Sequence, residues 1–182
     1  QSDRVTAAID TQLDTRRLIC RRYDGQDYIF DAATDQQEKY VADKLLLLDK
    51  LCPAVDAGDV NAFIDREERD QGVSYARGQK QAMALENGVM VLTGGPGTGK
   101  TTVVHALLHI FRSMDMSVAL CAPTGRAAKR LSESTANEAK TIHRLLEAGI
   151  DPHTGKLCFA KDENNPLKAD AVIVDEMSMV AI

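Results

Sequence analysis

Apolar residues recur along the chain in two different patterns, and the change between them comes near residue 73. Before that point, the spacing predicts a helix over residues 4–14 and another over about 35–51. Two short strands, over 18–22 and 27–30, lie between these helices. They flank an Asp-Gly pair of the kind that closes a tight hairpin. The first part of the chain is therefore predicted to be a small α+β module.

After residue 73, predicted strands and helices alternate. They cover 88–92, 101–113, 117–122, 125–132, 141–147 and 171–174. The β-branched run at 171–174 is typical of a buried parallel strand, which needs helices on both faces of its sheet. The pattern thus predicts the α/β fold class, with a parallel sheet and flanking helices.

The change of pattern predicts three segments. A helix-hairpin-helix module at 1–51 resembles a winged helix, and a connector at 52–72 has room for a short helix at 59–69. An α/β lobe occupies 73–182, and its sheet is expected to be incomplete at the C-terminal end.

Composition excludes several classes of protein. The 182 residues are 44% hydrophobic without a low-complexity tract, which argues against disorder. No apolar run approaches the roughly 20 residues that span a bilayer, so no membrane partner is expected. Four cysteines lie far apart without a CxxC pair, which predicts neither a zinc site nor disulfides and fits a cytoplasmic protein.

Charge is distributed unevenly. The net charge is −5, with 10 basic and 16 acidic side chains in residues 1–70, against 12 and 11 in residues 71–182. A local basic cluster on an acidic chain can mark where a polyanion is held, and the alternative is a solvated helix face. The basic residues of this cluster are Arg126, Lys129, Arg130, Lys140 and Arg144.

A glycine-rich segment, GGPGTGKTT, matches the phosphate-binding pattern GxxxxGK(S/T) and lies between a predicted strand and a predicted helix. Its glycines let backbone N–H groups point at phosphate oxygens, and the helix start adds the positive end of its dipole. Lys100 is predicted to neutralise the β- and γ-phosphates of a nucleotide, and Thr101 to coordinate Mg²⁺. The alternative is a chance glycine-rich turn. The predicted nucleotide-binding residues of this loop are Gly94, Gly95, Pro96, Gly97, Thr98, Gly99, Lys100, Thr101 and Thr102.

An acidic pair, Asp175 and Glu176, follows the last predicted strand, 75 residues after Lys100. Asp175 is predicted to hold Mg²⁺, and Glu176 to orient and deprotonate the attacking water. The alternative is a simple helix N-cap. Loop chemistry alone predicts a P-loop NTPase, a class that includes motors, kinases, switches and transporters.

Three further stretches are informative: CAPTGRAAKRL at 121–131, TIHRLL at 141–146 and VDEMSMV at 174–180. They resemble motifs of superfamily 1 DNA helicases. The resemblance is to the RecD-like branch, which includes the exodeoxyribonuclease V alpha subunit, and it is strong over residues 73–182. Gln79 resembles the glutamine of the family's Q motif, which implies that it contacts the adenine edge of ATP. Ala181 departs from the family, which often has an acidic residue there.

The turn after the strand at 117–122 is a candidate DNA contact, because open α/β sheets bind ligands where their strands end. Thr124 and the backbone amides of Gly125 and Arg126 can meet a phosphate at the helix start. The resemblance implies that Pro123 and His143 also lie near single-stranded DNA. Arg126 as a merely solvated side chain and His143 as a packed core histidine remain alternatives.

The resemblance implies an enzyme, an ATP-dependent DNA helicase that requires ATP and Mg²⁺ and can associate with other repair or recombination subunits. The chain ends six residues after Glu176. A second lobe with an arginine finger is expected beyond it, and losing such a finger costs roughly 10³–10⁵ in rate. We therefore expect slow hydrolysis and no unwinding from this chain alone. The helicase segment of a conjugative relaxase and a non-motor P-loop switch remain alternatives.

Overall fold

The chain forms two compact units in the computed structural model, Gln1–Pro53 and Ala54–Ala181. None of the described helices combines the length and the apolar character that a membrane crossing requires. The residues that the structure describes are 2–52, 57–84, 87–95 and 97–180.

The first unit is built around a β-hairpin. Tyr23 pairs with Gln26 across a two-residue turn, and the turn residues Asp24 and Gly25 have φ values of 50° and 80°. Two positive φ values in succession are typical of the turn that closes such a hairpin, so the Asp-Gly prediction is confirmed. The elements of this unit are α1 (Ser2–Asp14), β1 (Leu18–Tyr23), β2 (Gln26–Asp31) and α2 (Ala32–Leu51).

Helix α2 begins about three residues earlier than the apolar pattern predicts, because Asp31 caps it. The Asp31 Oδ1 accepts hydrogen bonds from the backbone N of Ala33 and Thr34 at 3.1 and 3.0 Å. Arg21 of β1 then donates two hydrogen bonds, of 2.5 and 2.6 Å, to the carboxylate of Asp35. This paired contact fixes the helix to the hairpin.

The second unit contains several short elements that the apolar pattern does not predict, namely α4 (Arg77–Met83), β4 (Ala139–Thr141), β5 (Ala148–Ile150) and β6 (Leu157–Phe159). Strands β5 and β6 pair as an antiparallel hairpin of their own. The elements of this unit are α3 (Ala57–Gln71), α4 (Arg77–Met83), α5 (Lys100–Ser113), β3 (Val118–Ala122), α6 (Gly125–Thr135), β4 (Ala139–Thr141), α7 (Ile142–Leu145), β5 (Ala148–Ile150), β6 (Leu157–Phe159) and β7 (Ala171–Val174).

Strand β3 lies at the centre of a three-stranded parallel sheet, with β4 on one side and β7 on the other. Leu120 of β3 is opposite Ala139 of β4 and Ile173 of β7. Helices α5 and α6 pack on this sheet through Leu108 and Leu131, which form a buried cluster with Leu120. The predicted α/β fold, with a parallel sheet and flanking helices, is confirmed.

Helix α3 occupies most of the segment predicted as a connector, and it contributes to the core of the second unit. Val60 and Ile64 are each 2% exposed, and they share a buried cluster with Val103 and Ile110 of α5. Their spacing of four residues places both on one face of α3. The division into module, connector and lobe stays a prediction.

Two expectations about strands are wrong. The structure assigns no strand to residues 88–92, where Val91 is 84% exposed. A strand needs a neighbour to pair with. In the described part of the chain, the sheet that contains β3 has only β4 and β7 as its other strands, so residues 88–92 are not part of it. Strand β7 is not buried on both faces, because Val172 and Val174 are 46% and 38% exposed. Helices α5 and α6 pack on the other face, which carries Ile173.

Candidate functional site

The glycine-rich loop before α5 is tightly wound. Gly97 and Gly99 have φ values of 75° and 83°, which other residues rarely adopt. A Cβ atom on Gly94 would lie 2.7 Å from Thr98 Oγ1, so a side chain there would displace the Thr98 hydroxyl. Pro96 lies outside the described residues. This winding suits a phosphate-binding loop, since backbone N–H groups must reach an anion without intervening side chains.

Lys100, the first residue of α5, folds back over this loop. Its Nζ donates hydrogen bonds to the carbonyl oxygens of Gly94 and Gly95 at 2.5 and 2.8 Å, and Thr98 Oγ1 donates to Gly95 O at 2.9 Å. The ammonium group therefore lies against the loop, close to the positive end of the α5 dipole. A cation and a helix N-terminus that converge in this way can bind a polyanion.

Helix α5 gives the loop a fixed base, because one side of the helix is buried in the core. Thr101 and Thr102 lie in its first turn and are exposed, so their hydroxyls are accessible to a ligand. The buried residues of α5 are Val103, Ala106, Leu107, Leu108, Ile110 and Phe111.

Gln79 of α4 lies against the same loop. Its Oε1 accepts a hydrogen bond from the Ala76 backbone N at 2.8 Å. A Cβ on Gly99 would lie 2.4 Å from the Gln79 Nε2, so a side chain at Gly99 would displace the Gln79 amide. The structure thus brings the predicted Q-motif glutamine to the N-terminus of α5.

Asp175 and Glu176 follow β7 directly. The Asp175 backbone N donates to Cys121 O at 2.9 Å, which continues the pairing of β7 with β3. Glu176 is exposed and has a φ of 55°, and its backbone N donates to Asp175 Oδ1 at 3.0 Å. Glu176 precedes the short 3-10 helix Met177–Met179 without a side-chain capping hydrogen bond. Helix capping therefore does not account for its carboxylate.

The loop, the acidic pair and the turn after β3 share one edge of the sheet. Strands β3 and β7 are parallel and end at Ala122 and Val174, with Cys121 opposite Val174. Helix α5 packs on this sheet and leads into β3 through a short turn, so the helix and the strand run in opposite directions. Lys100 consequently lies at the edge where the strands end, as ligand sites of open α/β sheets do.

The turn after β3 holds four of the predicted DNA-binding residues, Pro123, Thr124, Gly125 and Arg126. Thr124 caps α6, and its Oγ1 accepts a hydrogen bond from Ala127 N at 3.2 Å. The hydroxyl can still donate its proton to a further oxygen. Gly125 and Arg126 are exposed, so their backbone and side chain are open to a ligand.

His143, the fifth predicted DNA-binding residue, follows strand β4, whose last residue, Thr141, is opposite Ala122 at the end of β3. It is exposed on α7, which argues against a packed core histidine, and its ring lies 6.0 Å from that of Phe159 on β6. The sequence pattern gives no role to Phe159, because the three-residue strand that carries it is too short to predict. The structure therefore places His143 at the same edge of the sheet as the other four residues, with its ring beside Phe159 of β6.

Part of the predicted basic cluster is paired with acidic side chains. Lys129 Nζ lies 3.7 Å from Glu133 Oε1, and Lys140 Nζ lies 3.9 Å from Glu138 Oε1. Exposed pairs of this kind contribute little stability, but they reduce the local positive charge. Arg126 remains exposed at the start of α6.

One ion pair near Gln79 was not predicted. Lys80 Nζ of α4 lies 2.7 Å from Glu68 Oε2 of α3. The Lys80 ammonium and the backbone N–H of Tyr75 hold the pKa of Glu68 below its ordinary value. The two residues are twelve positions apart in sequence, and the apolar pattern does not predict α4. The sequence therefore gave no signal for this ion pair.

The oxygen donors at this edge fit Mg²⁺. Thr101 offers a hydroxyl and Asp175 a carboxylate, and Mg²⁺ is usually bound by one or two carboxylates together with substrate phosphates and water. Among the described residues, no group of three or more His, Cys, Asp or Glu side chains is gathered to hold a metal ion. The donor set therefore suits an ion that is shared with a nucleotide.

A parallel α/β sheet with a glycine-rich loop before a helix, and an acidic pair after a neighbouring strand, defines a P-loop protein. The AAA domain family matches residues 79–182, more than half of the chain. The chain belongs to this family.

Curated relatives are similar over most of the chain. The ATP-dependent RecD2 DNA helicase of Deinococcus radiodurans is 36% identical over 156 residues, which cover 86% of this chain and 21% of that protein. The RecBCD enzyme subunit RecD of Mycobacterium tuberculosis is 34% identical over 187 aligned positions, which include 90% of this chain and 30% of that protein. The resemblance to RecD-like helicases is confirmed. The chain spans less than a third of the length of these relatives.

Proposed function

We propose that the chain is the ATP-binding part of a RecD-type DNA helicase, which hydrolyses ATP to move along single-stranded DNA. The observation that carries the proposal is the convergence of the wound loop, Lys100 and Gln79 at the N-terminus of α5. The similarity to two proteins named as RecD2 and RecD supports the same function.

The triphosphate binds along the loop of residues 94–99. Lys100 exchanges its hydrogen bonds to the Gly94 and Gly95 carbonyls for bonds to β- and γ-phosphate oxygens. Gln79 contacts the adenine edge, because its amide offers both a donor and an acceptor beside Gly99. The adenine contact makes ATP the expected nucleotide.

The chemistry of hydrolysis belongs to Lys100 and Glu176. Thr101 and Asp175 would hold Mg²⁺, which would neutralise phosphate charge at the site. The exposed carboxylate of Glu176 orients the attacking water and accepts its proton. Lys100 stabilises the charge that develops on the phosphate oxygens.

Single-stranded DNA binds along the turn after β3. The Thr124 hydroxyl, the amide of Gly125 and the guanidinium of Arg126 contact its phosphates, with Pro123 and His143 close by. Such contacts fix the position of the strand and carry no sequence information. Binding is therefore expected to be independent of base sequence.

Partners and location follow from the same proposal. One relative is named as a subunit of the RecBCD enzyme, so we expect partner subunits of a DNA repair or recombination complex. Cys20, Cys121 and Cys158 are free thiols, as is usual in the reducing cytoplasm.

Two alternative functions differ from a RecD-type motor in features of the whole protein. The helicase segment of a conjugative relaxase requires a catalytic Tyr and a His-rich metal site in an attached nicking domain. A non-motor switch lacks a second lobe with a late arginine. The RecD-type motor is favoured because the relatives named above cover 86% and 90% of this chain.

The test is calorimetric titration of the protein with a non-hydrolysable Mg-ATP analogue. We expect one-to-one binding that Lys100→Ala weakens roughly 10- to 100-fold, because charge-assisted hydrogen bonds to phosphate are lost. Lys129→Ala, which removes an exposed lysine of α6, serves as the control and binds like the wild type. Circular dichroism checks folding. Equal binding by the folded Lys100→Ala variant would exclude the loop as the nucleotide site.

A further inference from the structure

Glu68 of α3 contacts both the turn before α4 and α4 itself. Its Oε1 accepts a hydrogen bond from the Tyr75 backbone N at 2.7 Å, and its Oε2 accepts one from Lys80 Nζ at 2.7 Å. One carboxylate thus fixes both the turn before α4 and the Lys80 side chain of α4. Lys80 is the residue next to Gln79.

Helix α3 is itself fixed to α5, which carries the phosphate-binding loop. Val60 and Ile64 are buried in one cluster with Val103 of α5. On a neighbouring turn, Glu67 Oε1 lies 2.7 Å from His109 Nδ1 of α5. Helix α3 therefore acts as a common support, with Glu67 facing α5 and Glu68 facing α4.

Helix α4 depends on this support for its position. It has seven residues, and an isolated helix of that length is not stable in water. Met83 anchors its C-terminal end in the core, while Glu68 holds its N-terminal part. The Gln79 amide lies beside Gly99 of the loop. Because Gln79 belongs to α4, a small shift of this helix would move the amide away from the loop.

We propose that Glu68 is a positioning residue, which acts through Lys80 and the Tyr75 N–H to hold Gln79 against the phosphate-binding loop. The inference rests on the proposed function, in which Gln79 contacts adenine. Glu68 then affects the recognition of the base and not that of the phosphates. Affinity for ATP depends on it, whereas affinity for inorganic triphosphate, which reaches the loop alone, does not.

The test compares ATP with inorganic triphosphate, each with Mg²⁺, by calorimetry on Glu68→Gln. Affinity for ATP is expected to fall about three- to tenfold, the effect of one hydrogen bond, while affinity for triphosphate is unchanged. Lys80→Met is expected to behave like Glu68→Gln. Lys80→Arg, which keeps the ion pair, is expected to retain the wild-type ratio of the two affinities.

A matched control comes from the first unit. The Arg21–Asp35 pair has side-chain exposures of 40% and 17%, and the Lys80–Glu68 pair has 40% and 18%. Asp35→Asn therefore removes an ion pair of equal exposure, and it is expected to leave the ratio of ATP to triphosphate affinity unchanged. Circular dichroism and thermal unfolding confirm that each variant is folded before it is titrated.

A double-mutant cycle shows whether Glu68 acts through Gln79. On a Gln79→Ala background, Glu68→Gln is expected to have no further effect on ATP affinity. Additive effects would overturn the inference, and so would a wild-type affinity ratio in folded Glu68→Gln and Lys80→Met. If the wild type binds neither ligand, the proposed function fails as well. If the wild type binds both ligands but the variants have the same ratio of ATP to triphosphate affinity, only the positioning role of Glu68 is refuted.

Discussion

At the scale of single residues, Glu176 adopts an unusual backbone conformation at the end of β7. A φ of 55° is uncommon outside glycine, and such conformations cost about 1–3 kcal/mol unless the surroundings enforce them. The Asp175–Cys121 backbone bond and the hydrogen bond from Glu176 N to Asp175 Oδ1 fix the turn here. The conformation ends the strand and leaves the Glu176 carboxylate exposed.

Replacing Glu176 by Gln tests its proposed role as the base. The amide keeps the length of the side chain but cannot accept a proton from water. We expect hydrolysis to fall by roughly 10²- to 10⁴-fold while Mg-ATP affinity is unchanged. Single-turnover hydrolysis in the presence of single-stranded DNA measures the rate. Glu133→Gln on α6 is the control, and a wild-type rate in Glu176→Gln would contradict the assignment.

At the scale of elements, the best predictions came from local signals. Asp24 and Gly25 specify the hairpin turn, and the apolar spacing of α5 specifies a long amphipathic helix. The segment 88–92 has a strand-like composition, but a strand also requires a partner in space, which a local pattern cannot supply. The three-residue strands β5 and β6 are too short to show a period.

The candidate site also has one part that local sequence signals predict and another part that depends on tertiary packing. Lys100 and its loop could be found from sequence, because phosphate binding demands glycines at fixed spacing before a helix. The structure adds the contact of Gln79 with Gly99 and the ion pair of Glu68 with the neighbouring Lys80, because both depend on how α3, α4 and α5 pack. No spacing rule encodes that packing.

The starts of β3 and β7 are joined by a carboxylate. Asp170 Oδ2 accepts hydrogen bonds from Ser117 N at 2.7 Å and Ser117 Oγ at 2.6 Å, and Asp170 N donates to Ser117 O at 2.9 Å. The donors of Ser117 hold the pKa of Asp170 below its ordinary value of 3.8. The ionised carboxylate is therefore part of what aligns the two strands.

Asp170→Asn is expected to lower stability at neutral pH and to remove part of its pH dependence. Because the folded pKa is depressed, the stabilisation is complete above the unfolded value of 3.8 and is lost as pH falls through the folded pKa. Thermal unfolding across this range measures the effect, with the exposed Asp65→Asn as control. A gap between wild type and Asp170→Asn that persists at the lowest pH would contradict this explanation.

At the scale of the whole molecule, charge separates the first 70 residues, at net −6, from the remainder, at net +1. A polyanion is repelled by the first part and meets a near-neutral surface on the second. In the proposed function, affinity for DNA is then expected to depend on a few exposed cations such as Arg126, and less on Lys129, which is paired with Glu133.

Arg126→Ala is expected to weaken binding of single-stranded DNA equally for all base sequences. It should also reduce the slope of log affinity against log salt by about 0.7, the value for one phosphate contact. Fluorescence anisotropy of labelled oligonucleotides over a range of salt concentrations measures both. Lys129→Ala is the matched control, with a smaller expected change. An unchanged slope in Arg126→Ala would place the DNA elsewhere.

The hydrogen bond from Asp175 N to Cys121 O has a mechanical consequence. Cys121 lies three residues before Thr124, and Asp175 is next to Glu176. If the polynucleotide is held at Thr124 and Glu176 is the base, as proposed, a pull on the strand reaches the Glu176 carboxylate through the turn at 123–124 and the paired backbone of β3 and β7. Tension on the DNA would then be transmitted to the proposed ATP site over a few peptide units.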